Sequence, residues 1–330
     1  MNAVMSMIRE WIYYISGCTD PYVNLATETW LSDNTPSGCC TMYLWRNDRT
    51  VVIGRNQNPW AECRCELLEQ EGGHLARRQS GGGAVYHDDG NLNFTFLCDE
   101  ADMDVARNMR IIAAACRTAG IEATVSGRND ILADGRKFSG NAFYHAGGRA
   151  YHHGTLLIRT DTERMRRYLT PPKAKLEAKG VKSVRGRVIN LVELAPDLTS
   201  DMMTDYMLTA AEEVFGMPPA TFGTVDADAI AHLAAEYGSW EYLYGAQPSF
   251  TAACEGQFAW GHTELRLSVS KGIVDGVQAY TDALDWTIAE RVKGALVGCR
   301  FDATQMTVAL RKALPADIAQ DIGSLVQQMI

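Results

Sequence analysis

Arg77-Arg78-Gln79-Ser80-Gly81-Gly82-Gly83-Ala84-Val85-Tyr86-His87-Asp88 sets three successive glycines directly after two arginines and a serine. Glycine loses more conformational freedom on folding than any other residue, so a purely structural reading needs positions with positive φ. A sharp turn asks for one or two such residues. Three, beside cationic side chains, suit a backbone that lies against a ligand with its N–H groups facing phosphate or carboxylate oxygens, as an anion nest does. A glycine turn next to a surface arginine pair is the alternative. The stretch is not a Walker A loop, because no Gly-Lys-Ser/Thr follows. Nor is it a dinucleotide fingerprint, since Gly81-x-Gly83 lacks the third glycine and runs into a strand.

Outward from this loop, short β-rich runs occupy residues 11–16, 42–45 and 50–53, the last ending in Gly54. Asp20-Pro21 gives an N-cap and a first-turn proline for a helix carrying Val23, Leu25, Ala26 and Trp30. Residues 60–71 read as a helix, 92–97 as a strand, and 102–119 as a long helix closed by Gly120. Residues 123–160 alternate β-rich runs with glycine turns, which predicts hairpins. Residues 161–169 read as a helix stopped by Pro171-Pro172, and 200–215 and 226–237 as two more. Beyond a linker at 245–249, strands are expected at 257–267 and 272–281, joined at Ser270-Lys271-Gly272, before three amphipathic helices. Strands mixed with helices, without strict βαβ alternation, predict an α+β fold. The division expected is 1–244, the linker, and 250–330.

Composition narrows the class. At 330 residues with 46% hydrophobic content, the chain is long enough for one or two domains with a sizeable core. This excludes disorder, collagen-like repetition and a disulfide miniprotein. A net charge of −9 makes nucleic acid a poor default partner. No stretch approaches the 18 or so apolar residues of a membrane span. Ile15-Ser16-Gly17-Cys18 looks like a lipoprotein cleavage box, but Arg9 and Glu10 interrupt the apolar core a signal peptide needs. The nine cysteines, an odd count, read as buried thiols in a reducing compartment. Cys39-Cys40 and Cys63-x-Cys65 lack the spacing of a tetrahedral zinc site. A cytoplasmic monomer is the expectation.

Three further segments carry chemistry. Ser126-Gly127-Arg128-Asn129-Asp130 precedes Gly135-Arg136-Lys137-Phe138-Ser139-Gly140-Asn141. Asn129 and Asp130 suit a metal-bound phosphate or an adenine edge, although a hairpin alone accounts for Gly135 and Gly140. Lys137, flanked by Phe138 and small residues, is placed to be partly desolvated with its ammonium aimed at a ligand. Residues 164–187 hold nine Lys/Arg against the single acid Glu177, a basic run in an acidic chain. It reads as a solvated face, as a loop that closes over an anion, or as a surface for an acidic partner. His152 and His153, adjacent on a strand, point to opposite faces, so at most one lines a given pocket.

These residues carry a resemblance. Asp20-Pro21 with Asn24-Leu25-Ala26, Leu44-Trp45-Arg46-Asn47, Thr50–Arg55, Gln57-Asn58-Pro59-Trp60, the glycine loop, Gly127–Asp130 and Lys137-x-Ser139-Gly140 resemble the lipoate–protein ligase A family. The match continues through His152–Leu157, Lys179-Gly180, Ser183–Arg185, Arg187-Val188, Asn190-Leu191, Ser239–Glu241 and Trp260-Gly261, over essentially the whole chain and in order. Tyr86 and Asn141 stand where related sequences often vary. The resemblance implies the fold of biotin and lipoyl ligases and class II synthetases, with mixed β-sheets flanked by helices and a small C-terminal α+β unit. It implies activation of lipoate by ATP to lipoyl-AMP, release of pyrophosphate with Mg2+, and transfer to a lysine of a carrier. Implied carriers are the apo lipoyl domains of 2-oxoacid dehydrogenase acyltransferase subunits and the glycine-cleavage H protein. Arg78, Gly83, Ala84, Val85, Tyr86, Asp130, Lys137 and Lys179 are then candidates for ATP or adenylate, and Ser80, Gly82, Lys137 and His153 for lipoate. Lys137 is the candidate catalytic residue, and Asp130 the candidate for Mg2+ through phosphate.

The residue chemistry agrees. Joining a carboxylate to an α-phosphate brings two anions together, and an ammonium with backbone donors offsets that repulsion. Two competing readings are an octanoyltransferase of the same fold, which uses no ATP, and a non-catalytic protein that binds lipoyl domains. A biotin ligase fits less well, for want of a Gly-Arg-Gly-Arg nucleotide loop.

Overall fold

The computed structural model describes residues 8–57, 59–126, 130–170, 188–243, 252–270, 273–301 and 303–329. In chain order the elements are β1 (Glu10–Ile15), α1 (Pro21–Asn34), β2 (Cys39–Trp45), β3 (Thr50–Ile53), α2 (Pro59–Glu62), α3 (Cys65–Gln70), β4 (His74–Arg77), β5 (Val85–His87) and β6 (Asn91–Asp99). Then come α4 (Val105–Thr118), β7 (Thr124–Ser126), β8 (Asp130–Ala133), β9 (Arg136–Ala146), β10 (Arg149–Leu157), α5 (Thr162–Tyr168), α6 (Ser200–Phe215), α7 (Ala227–Tyr237) and α8 (Trp240–Leu243). The C-terminal part holds β11 (Ala252–Phe258), β12 (Gly261–Ser270), β13 (Ile273–Thr281), α9 (Thr287–Leu296), α10 (Ala303–Ala313) and α11 (Ala316–Met329).

A seven-stranded mixed sheet in the order β1-β2-β6-β10-β9-β8-β7 forms the frame, and the α+β expectation holds. Every residue of β2 is buried because helices cover both faces of the sheet. The two-residue period of a strand sends Cys40, Met42 and Leu44 to a core shared with Ile111 and Ile112 of α4 and Met203 and Met207 of α6. It sends Tyr43 and Trp45 to the other side, against Leu25 and Leu31 of α1 and Ile230 of α7. Asp20 caps α1, its carboxylate accepting from the Tyr22 and Val23 N–H groups. The glycine loop belongs to a smaller sheet, β4-β3-β5, with β3 and β4 parallel and β5 antiparallel. The three-stranded sheet β11-β12-β13 has its own core, built with α9, α10 and α11. No described helix is long and apolar enough to cross a membrane.

Two expected elements and one expected boundary are corrected. The helix expected over 60–71 is broken at Cys63, which bridges to Leu169 beyond α5, with Arg64 N–H on Tyr168 O at 2.9 Å and Thr170 N–H on Glu62 O at 3.0 Å. Pairing with a distant segment outweighs local helical preference there. The strand expected over 257–267 spans a hairpin turn instead, at residues 259–260 between β11 and β12. The long helix starts at Val105, three residues later than expected, because Asp104 is the residue whose side chain caps it. The linker at 245–249 lies outside the described residues.

Candidate active site

The glycine loop is shaped by contacts on both sides. A Cβ on Gly81 would sit 2.1 Å from Ala283 O, and one on Gly54 would sit 2.4 Å from Gly82 O, so neither position accepts a side chain without backbone movement. Gly82 has φ +94°, open to glycine at no steric cost. Its N–H donates to Ala283 O at 2.9 Å. Gly82 thus lines the cavity while its N–H joins the loop to the C-terminal part of the chain.

Nor are the two arginines a surface pair. Arg78 is only 6% exposed, and its guanidinium donates to Val52 O, Ser80 Oγ, Gly81 O and Gly83 O. Those carbonyls and the hydroxyl hold its charge in the interior, where burial lowers its pKa to about 10. Arg77 donates to Arg55 O at 3.0 Å, Gln57 O at 2.8 Å and Tyr242 O at 3.2 Å, tying β4 to α8. Both arginines stiffen the loop from behind.

Lys137 stands near the start of β9, with its backbone carbonyl accepting from Ile189 N–H at 2.9 Å. Between the pairs Ile131–Ser139 and Leu132–Lys137 the register slips by one residue, leaving Phe138 extra. That bulge lets Phe138 enter the core while Lys137 turns to the site. The ammonium lies 2.7 Å from Asp130 Oδ1, with both side chains about one-fifth exposed (23% and 20%). Its stem crosses Gly140, where an added Cβ would come within 2.8 Å of Nζ.

The adjacent histidines of β10 diverge as the strand period requires. His152 is buried between Asn141 Oδ1 at 2.9 Å and Asn108 Nδ2 at 3.3 Å, and stacks on Phe143. Burial pushes its pKa down to about 3, so it is neutral. His153 faces the cavity and joins a polar chain. Arg78 Nε meets Ser80 Oγ at 3.1 Å, Ser80 Oγ meets His153 Nε2 at 2.7 Å, and His153 Nδ1 meets Glu28 Oε1 at 2.8 Å. Thr95 Oγ1 also donates to Glu28, at 2.6 Å. Buried Arg78 and buried Glu28, 2% exposed, thus balance each other's charge through a serine and a histidine.

A second buried histidine, His87, has its tautomer set by distant carbonyls. Asn24 Nδ2 donates to Cys18 O and Arg46 O, which fixes the orientation of that amide, and donates also to Asn47 Oδ1. Asn47 Nδ2 is thereby turned to donate to His87 Nδ1 at 3.2 Å, which leaves the proton on Nε2. Burial lowers the His87 pKa to about 3.

These parts enclose a cavity of about 390 Å³, a size suited to a small-molecule site. Arg78, Gly82, Gly83, Ala84, Val85, Tyr86, Asp130, Lys137 and His153 all line it, so most of the expected residues converge. Ser80 does not line it; the hydroxyl is fully buried behind His153. Lys179 and Gly127–Asn129 lie outside the described residues. Asp282 and Leu284, just beyond β13, complete the wall. Around them Asn56 O accepts from Thr281 N–H at 2.9 Å, Asn56 Nδ2 donates to Trp286 O at 2.8 Å, and the Arg55 guanidinium lies 4.4 Å over the Trp286 ring.

Residues 20–212 match the family model described as the lipoyl protein ligase A/B catalytic domain, and residues 247–328 match that of the bacterial lipoate protein ligase C-terminus. The chain belongs to the lipoyl protein ligase family. It is 41% identical over 297 residues to a lipoate-protein ligase A of Psychrobacter cryohalolentis, covering 87% of this chain and 88% of that one. Among solved structures it resembles LipL1 of P. falciparum in complex with lipoate, at 27% identity and a TM-score of 0.83, covering 96% of this chain and 99% of that one. It also resembles a bipartite lipoate protein ligase of Thermoplasma acidophilum, at 25% identity and a TM-score of 0.62, covering 74% of this chain and 99% of that one. The chain is therefore an enzyme of the ligase class.

In this lipoyl ligase, sequence reasoning missed Glu28, Asn93, Arg166 and Asp282. Glu28 left one signal: an acid on the face of α1 that otherwise carries Leu25, Leu31 and Ser32 inward. Asn93 and Asp282 left none, because only folding brings β6 and the end of β13 to one wall. Arg166 was counted only within the basic run.

Proposed function

We propose that the protein joins lipoate to protein carriers in two steps. In the first, a lipoate carboxylate oxygen bonds to the α-phosphorus of ATP and the bond to the β-phosphate breaks, releasing pyrophosphate. In the second, a carrier lysine amine attacks the acyl carbon, AMP leaves, and the amine loses a proton. The observation that carries this reading is the Lys137 ammonium, held by Asp130 at the wall of a cavity shared with the glycine loop. A cation there offsets the repulsion between the carboxylate and the α-phosphate as they meet. The substrate carboxylate takes the place that Asp130 holds at Nζ. Gly83, Ala84 and Val85 give the nucleotide a close backbone wall, and the apolar tail lies toward Leu25, Val52 and Trp45.

Mg2+ enters with the nucleotide as part of the substrate. Among the described residues no cluster of three or more His, Cys, Asp or Glu is placed to hold a metal ion, and one Asp130 oxygen is on Lys137. The Asp130 contact is proposed to run to an ion carried by the phosphates. The carriers proposed are apo lipoyl domains of 2-oxoacid dehydrogenase acyltransferases and the glycine-cleavage H protein, and the compartment is the cytoplasm. Two units, 1–244 and 250–330, are proposed on the separate core of the C-terminal helices and sheet.

Incubation with ATP, Mg2+, lipoate and an apo lipoyl domain is expected to add the mass of one lipoyl group to the carrier. Lys137→Ala is expected to cut lipoate-dependent pyrophosphate release by at least about 10²–10³, with Tm unchanged. Full turnover by that variant would reject Lys137 as the central group. Acyl transfer from an acyl carrier protein without ATP would replace this reading by the octanoyltransferase one.

A further inference from the structure

Three cations line the cavity: Arg78, Lys137 and Arg166. Three carboxylates line it with them: Glu62, Asp130 and Asp282. The described wall is thus balanced before a polyanionic nucleotide arrives. Arg78 has its donors spent on the carbonyls of its own loop and on Val52 O. Lys137, paired with Asp130, is the cation nearest the reacting centre in the reading above. Arg166 is differently held. It sits in the last turn of α5, next to Met165, which lines the same cavity. Its Nε is anchored on Thr162 O at 3.0 Å, which fixes the root of the guanidinium. Its Nη2 rests on Glu163, a carboxylate 80% exposed, and an ion pair so open to water is weak and easily exchanged.

We propose that Arg166 binds the β- and γ-phosphates of the nucleotide, the part that leaves as pyrophosphate. A guanidinium presents paired donors that match phosphate oxygens. Arg166 exchanges the Glu163 carboxylate for the polyphosphate while the Thr162 carbonyl keeps its stem in place. This inference rests on the adenylation step of the proposed function and adds to it the residue that meets the leaving group.

The test is lipoate-dependent ATP–pyrophosphate exchange by the full chain, in which KM is measured separately for ATP, pyrophosphate and lipoate. Arg166→Gln is expected to raise KM for both ATP and pyrophosphate about ten- to a hundredfold, as for a lost charge-assisted hydrogen bond. KM for lipoate and Tm should stay near wild type. Arg166→Lys, which keeps the charge without the fork, should fall between. KM values for ATP and pyrophosphate within twofold of wild type in Arg166→Gln overturn the inference. So does unchanged exchange together with a raised KM for the carrier domain in the complete ligation assay, which would assign the arginine to protein docking. Absence of lipoate-dependent exchange in the wild-type protein would instead remove the adenylation step itself.

Discussion

Glu28 lies beneath the site and touches it only through His153. Its carboxylate accepts from Thr95 and His153, and through Ser80 it answers the buried charge of Arg78. Removing one partner of a buried charged network leaves the other uncompensated, which costs more than the pair was worth. Glu28→Gln is expected to lower the unfolding free energy by about 1–3 kcal/mol in urea titration. A midpoint equal to wild type would show that Arg78 needs no counter-charge. At this scale Lys137 and the glycines stood out by residue type and neighbours, whereas Tyr86 and His153 were singled out by the family resemblance. Ser80 was legible as a site residue but not as a buried one. Its hydroxyl is claimed by Arg78 and His153, a fact that depends on where β10 passes.

Among the elements, the glycine loop has the tightest tolerances. It runs between the end of β3, where Gly54 meets Gly82 O, and the carbonyl of Ala283. Gly81→Ala forces a backbone separation at a contact of 2.1 Å, and overpacking of this kind costs about 1–3 kcal/mol. The expected result is a lower Tm together with a raised KM for ATP; wild-type values of both would mean the loop has room the geometry denies. The sequence marked this loop as exceptional and favoured a ligand over a plain turn as the reason for its three glycines. Two of the three serve packing or turn geometry, because a segment some 200 residues later in the chain presses on them. The broken helix at Cys63 has the same origin. Local periodicity favours a continuous helix, and hydrogen bonds to Tyr168 O and from Thr170 N–H end it.

For the molecule as a whole, the two fully buried histidines set an acid limit. In the unfolded chain each takes up a proton near pH 6.5, whereas in the fold burial holds His87 and His152 neutral down to about pH 3. Below pH 6.5 the unfolded state therefore binds more protons, and stability must fall as pH falls. The slope approaches about 1.4 kcal/mol per pH unit for each histidine. Urea unfolding at pH 7, 6 and 5 should show the loss beginning above the range where most carboxylates titrate. An unchanged midpoint over that range would contradict neutral burial of the pair.

Most of the strands and helices, the α+β class and the candidacy of the loop and Lys137 were determined by the sequence itself, because each depends on residues close together in the chain. Side-chain periodicity, caps and glycine turns act over a few positions, and so do the charge and size of a candidate ligand group. Only the tertiary structure decided which groups share a wall. Arg166 reaches the cavity because α5 packs beside β5, and Asp282 because the C-terminal sheet abuts the glycine loop; Glu28 lies behind His153 because α1 lies across β6 and β10. Electrostatic balance and hydrogen-bond saturation are properties of neighbours in space, and here those neighbours come from segments far apart in the chain.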